Sequence, residues 1–276
     1  MVGPLSIAAM FITMLVPIGL FIVLLILFLR HFHTGMRPVL IGAAVFFIFA
    51  LVLEQLVHLA VLRGIPATAA LFKNPLAYAV YGGLAAGLFE ETGRLCGFSL
   101  FFKKSHRWEH GVAYGLGHGG LELLYIGGVL ALTQVNNLVL SFAINSGRWK
   151  QIADAVAAFP DKAAALETAR NQLVSLPAWA FLLGGWERLS ALGIQIALSL
   201  LVLYAVARRR YVFYLLAVLL HALVDFGAVY LKQLGVNMAV LEGVLTLFAV
   251  VLLVPALRSR RFFPEEAPAA TPQDAS

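Results

Sequence analysis

Seven apolar runs, at approximately 5–29, 38–62, 75–102, 109–133, 177–207, 211–231 and 236–257, divide this chain. Each is close to the 20 or so residues that carry a helix across a bilayer, at about 1.5 Å per residue. The fold expected is therefore all-α, a polytopic membrane bundle of about seven transmembrane helices plus a surface helical segment. Composition agrees: the chain is 61% hydrophobic and only 12% charged, against roughly 25% charged in a soluble domain. The net charge of +6 comes from basic residues at the ends of apolar runs, which fits membrane topology better than nucleic-acid binding. Cys96 is the single cysteine, so no intramolecular disulfide is expected.

The first run lacks a basic leader and a small-residue cleavage site, so it reads as a retained helix rather than a signal peptide. Residues 1–263 are expected to form one integral membrane domain. The tail 264–276, PEEAPAATPQDAS, has nothing to pack and is expected to be disordered. The one long polar connection, about 134–176, places Leu166, Ala169, Leu173 and Leu176 on one helical face and is expected at the membrane surface. With the N-terminus outside, eleven Lys and Arg fall on the cytoplasmic side (30, 37, 103, 104, 107, 208–210, 258, 260, 261) against seven outside. A cell-membrane protein with an external N-terminus and a cytoplasmic C-terminus is the topology expected.

The polar residues inside the runs carry the chemistry. FEETGR, Phe89–Arg94, interrupts a long apolar stretch. Counted from the cytoplasmic ends, Glu90 lies thirteen residues in from Lys103, His118 eleven from Arg107 and His221 eleven from Arg210. All three therefore sit at a depth of roughly 16–20 Å. Glu122 and Asp225 each follow a histidine by four positions and share its helix face. A charge at mid-membrane costs about 2.5–3.5 kcal/mol on insertion scales, so several at one depth point to a functional interior. Other charges have a simpler reading as buried pairs: Glu91 with Arg94, Glu187 with Arg188, Glu54 with His58. GLGHGG, 115–120, formally matches a dinucleotide fingerprint but has no strand or βαβ unit around it. Its glycines are expected to admit close helix packing. Tyr204, Tyr211 and Tyr214 read as interfacial residues.

A carboxylate beside a histidine can take a proton from water while a second histidine donates to a developing oxyanion. The same groups could instead hold zinc or form a proton relay. The helical HExxH of common zinc proteases is absent. A transporter would be expected to show repeated halves or paired broken helices, and no repeat is found; a non-enzymatic scaffold is the remaining rival.

EETGR at 90–94, YGLGH at 114–118 and HALVD at 221–225 resemble the EExxxR, FxxxH and HxxxN/D motifs of the CAAX prenyl endoprotease and bacteriocin-processing superfamily of intramembrane proteases. The fuller set, EETGR, YGLGHGGLE, ERLSALGIQIALSLLVLYAV and HALVDF, resembles the bacterial YhfC family across most of 85–230. Arg94 stands one residue closer than in the broader superfamily, Tyr114 replaces its Phe, and Asp225 stands where many members carry Asn. The resemblance implies an intramembrane endopeptidase acting on a membrane-associated peptide or protein. Glu90 and His118 would activate water, His221 and Asp225 would support the oxyanion, and Glu91 and Arg94 would hold the motif helix. Glu122, Glu187 and Arg188 complete the set as supporting residues. A metal-free, glutamate-type site is expected, with zinc as the alternative.

Overall fold

The computed structural model describes residues 1–103 and 105–263; the tail at 264–276 lies outside the described residues. Its helices are α1 (Pro4–Phe32), α2 (Arg37–Gly64), α3 (Pro66–Leu71), α4 (Pro75–Phe101), α5 (Trp108–Asn145), α6 (Trp149–Val156), α7 (Pro160–Ser175), α8 (Leu183–Ala207), α9 (Val212–Gln233) and α10 (Met238–Arg258). No strand occurs among the described residues. Proline at the first turn of α1, α2, α3, α4 and α7 fits where an N–H would have no intrahelical partner. Asn74 caps α4 by accepting from the Ala77 N–H at 3.0 Å.

Among the described residues six segments are long and apolar enough to cross a membrane: α1, α2, α5, Ala178–Ala207, α9 and Met238–Phe262. The remaining expected span, α4, has the length at 27 residues, but Glu90, Glu91 and Arg94 lower its hydropathy. Those three side chains are buried, so α4 hides its charges in the bundle rather than presenting them to lipid. α2 is not a regular α-helix: Phe47–Glu54 and Ala60–Gly64 are π-wound.

Close contact between helices is obtained with small residues, as expected where lipid removes the hydrophobic drive to associate. A Cβ on Gly87 of α4 would stand 2.6 Å from the Val218 carbonyl of α9, and one on Gly115 of α5 would stand 2.7 Å from the Ile196 Cα of α8. The GLGHGG stretch is thus a packing surface on both sides of His118.

Two expectations change. α5 runs for 38 residues, so the polar connection begins beyond Asn145 and not near 134. Within it Leu173 is buried against Val2, Met10, Leu140 and Phe181, with Leu166 and Ala169 beside it, whereas Leu176 is exposed. Tyr214 is half-buried, and its hydroxyl meets the Thr92 hydroxyl of α4 at 2.9 Å.

Candidate active site

Four helices meet around Glu90. All of its contacts fall on Oε2: His118 Nε2 of α5 at 2.9 Å, Gln195 Nε2 of α8 at 3.2 Å, Arg94 Nη2 at 3.5 Å and His221 Nε2 of α9 at 3.9 Å. Among the described residues none reaches Oε1. Buried carboxylates persist when donors surround them, and here three donors on one oxygen hold the group while leaving the other free.

Glu91, one position on, faces differently. Its Oε1 takes both the Arg94 guanidinium and His221 Nδ1, the latter at 2.6 Å. Arg94 then reaches across to donate to the side-chain amide oxygen, Oε1, of Gln195. The helix spacing that predicts a Glu91–Arg94 pair is realised, but the pair also ties α4 to α8 and α9. Beyond Gln195 the network continues: its amide donates to Glu122 Oε2 at 2.5 Å, Glu122 Oε1 accepts from Arg188 Nη1 at 3.2 Å, and Arg188 pairs with Glu187.

A cavity of about 90 Å³ opens against this network, lined by Glu90, Glu122, Arg188, Gln195, His221 and Asp225 among others. It is polar and large enough for a few waters. It lies in the halves of α4, α8 and α9 nearest α3 and the 146–182 connection. The opposite halves are filled by Phe98, Phe102, Trp108, Tyr114, Leu200 and Leu203.

The depth argument thus predicts Glu90, His118 and His221 together, and they are together. Their access differs. His118 is fully buried and touches Glu90 but not the cavity, so it bears on any cavity water through Glu90. Asp225 Oδ2 lies 3.7 Å from His221 Nε2, too far for a hydrogen bond. Glu91, not Asp225, fixes the His221 ring. Gln195 is a member that the sequence reading missed. Its only signal is an amide in the uncharged stretch of α8 after Arg188, and at 4% exposure it joins Glu90, Arg94 and Glu122.

A multi-pass membrane protein with a buried carboxylate–histidine centre beside a small polar chamber is the class that fold and site define. The family described as YhfC intramembrane metalloprotease matches residues 12–246. This chain is also 41% identical over 254 residues to a Bacillus subtilis (strain 168) protein named uncharacterized membrane protein YhfC, covering 91% of this chain and 94% of that one. The chain belongs to the YhfC intramembrane metalloprotease family. No solved structure matches it.

The family description implies a metal. Histidine and carboxylate are suitable donor types, but among the described residues no three His, Cys, Asp or Glu side chains converge as a ligand set. His118 Nε2 is engaged by Glu90, and His118 Nδ1 is buried with no hydrogen-bond partner among the described residues, whereas a ligating histidine ordinarily donates its second nitrogen to an outer partner. The residues as arranged do not fit a bound metal, and no step is drawn through one.

Proposed function

We propose that this protein is an intramembrane endopeptidase of the glutamate type, hydrolysing a peptide bond in a membrane-associated protein or peptide. The observation that carries the reading is the division of labour on Glu90: Oε2 is fixed by His118, Gln195 and Arg94, while Oε1 is free on a residue that lines the chamber. Oε1 takes a proton from a chamber water as that water attacks the carbonyl. His118 is a positioning residue for Glu90. His221 lines the chamber with Nδ1 held by Glu91. It donates to the developing oxyanion from Nε2 as the imidazolium, whose charge the Glu91 carboxylate balances. Asp225, on the chamber wall, supports the substrate rather than the ring. With the N-terminus outside and the C-terminus cytoplasmic, the polar half of the bundle faces the exterior.

The family's description as a metalloprotease favours a second reading, in which His118, His221 and a carboxylate rearrange around zinc. Purification in detergent, elemental analysis and a membrane-peptide cleavage screen with and without chelator separate the two. The expected result is cleavage without stoichiometric metal and without sensitivity to chelator. Near-stoichiometric zinc that is lost in His118→Ala, with activity restored by zinc after chelation, would move the chemistry to the metal.

A further inference from the structure

A second, larger cavity of about 260 Å³ adjoins the 90 Å³ chamber and shares Asp225 and Ala228 as wall residues. It lies between α2, α4 and α9, and its polar lining is Glu54, His58, Tyr78, Tyr81 and Asp225. Glu54 ends the first π-wound stretch of α2, a winding that recurs at functional positions. Glu54 is 6% exposed. Its Oε1 takes His58 Nε2 at 3.1 Å, while His58 Nδ1 meets the Tyr81 hydroxyl at 2.8 Å.

That chain of contacts has a consequence for charge. Glu54 thus pairs with a histidine, which carries charge only when protonated, rather than with a Lys or Arg. Among the described residues no Lys or Arg lines the cavity, and a second carboxylate, Asp225, stands on its far wall. Aromatic faces and carboxylates without a cation make a setting for one. We propose that this cavity is the subsite that receives a lysine or arginine side chain of the peptide beside the scissile bond, with Glu54 as the residue that reads its charge. The inference rests on the proteolytic reading above. The plainer view, in which Glu54 and His58 are only an ion pair one turn apart, predicts lower stability in Glu54 variants and no change in substrate preference.

The test uses pairs of fluorogenic transmembrane peptides identical except for one lysine or one norleucine, placed at successive positions along an Ala/Leu helix. In detergent the wild type should cleave at least one lysine peptide with kcat/KM about tenfold above its norleucine twin. Glu54→Gln should bring the two together by slowing the lysine peptide alone, and Glu54→Asp should keep the preference. An unchanged lysine-to-norleucine ratio in a folded Glu54→Gln overturns the proposal. The same peptides are also titrated onto Glu90→Gln, with and without Glu54→Gln. If nothing is cleaved by any form, the proteolytic reading fails, yet tighter binding of the lysine peptide that disappears with Glu54→Gln still supports the subsite, and equal binding overturns it. Should Glu54→Gln not fold, Gly82→Met serves: Gly82 lines the cavity and nothing stands within 4 Å of a Cβ there. That variant should fold and lose lysine-peptide binding, and undiminished binding overturns the proposal.

Discussion

Gln195→Leu removes the one neutral side chain at the centre of the charged network. Three interhelical contacts go with it: to Arg94, to Glu90 at 3.2 Å and to Glu122 at 2.5 Å. Interhelical side-chain bonds in a membrane protein average about 0.6 kcal/mol with a maximum near 1.7, so three of them sum to about 2–5 kcal/mol. Leucine is similar in size, so little of the loss comes from a cavity. Ser199→Ala is the control. Ser199 is equally buried, but its hydroxyl turns back to the Gln195 carbonyl at 2.8 Å on its own helix, and its removal should cost under about 1 kcal/mol. Unfolding in mixed dodecyl maltoside and SDS micelles, followed by tryptophan fluorescence, measures both. If Gln195→Leu lies within about 0.5 kcal/mol of wild type, the network does not bind the helices together as described, since even one average bond is worth about 0.6 kcal/mol.

Gly115→Ala should destabilise by about 1–3 kcal/mol in the same titration, because its Cβ would meet the backbone of α8; Gly227→Ala, with open space around it, should be neutral or stabilise by about 0.5–1 kcal/mol. Tyr114→Phe should leave stability unchanged or raise it, since the Tyr114 hydroxyl is buried without a partner among the described residues and such a group costs about 1–3 kcal/mol. In the cleavage assay Asp225→Asn should keep much of the activity while Glu91→Gln loses most of it, because Glu91 and not Asp225 holds His221.

Much of this arrangement is written in local spacing. Glu91 with Arg94 and Glu54 with His58 are three and four apart on one helix, and one turn of helix is enough to pair them. Depth is also additive along a helix, which is why Glu90, His118 and His221 could be placed at one level by counting from the basic ends. What counting cannot give is azimuth between helices. Whether Glu91 faces Arg94 alone or also His221, 130 positions away, depends on how α4 and α9 rotate against each other. The same holds for Tyr214 and Thr92, and for His118 lying behind Glu90 rather than beside the chamber. Gln195 was missed because a single amide stands out little in the uncharged stretch of α8 that follows Arg188. The length of α5 was missed because Gln134, Asn136 and Asn137 look like a loop; Gln134 is buried and Asn137 Nδ2 donates to its Oε1 at 3.3 Å, within the helix.

The free oxygen of Glu90 is the proposed base. The direct measurement is single-turnover cleavage, alongside equilibrium binding, of one membrane peptide by wild type and Glu90→Gln in the same detergent. The amide keeps shape and hydrogen bonding but cannot take the proton, so binding should persist while the cleavage rate falls by about 10²–10⁴-fold, the usual worth of a general base. A folded Glu90→Gln that cleaves at the wild-type rate would contradict the account.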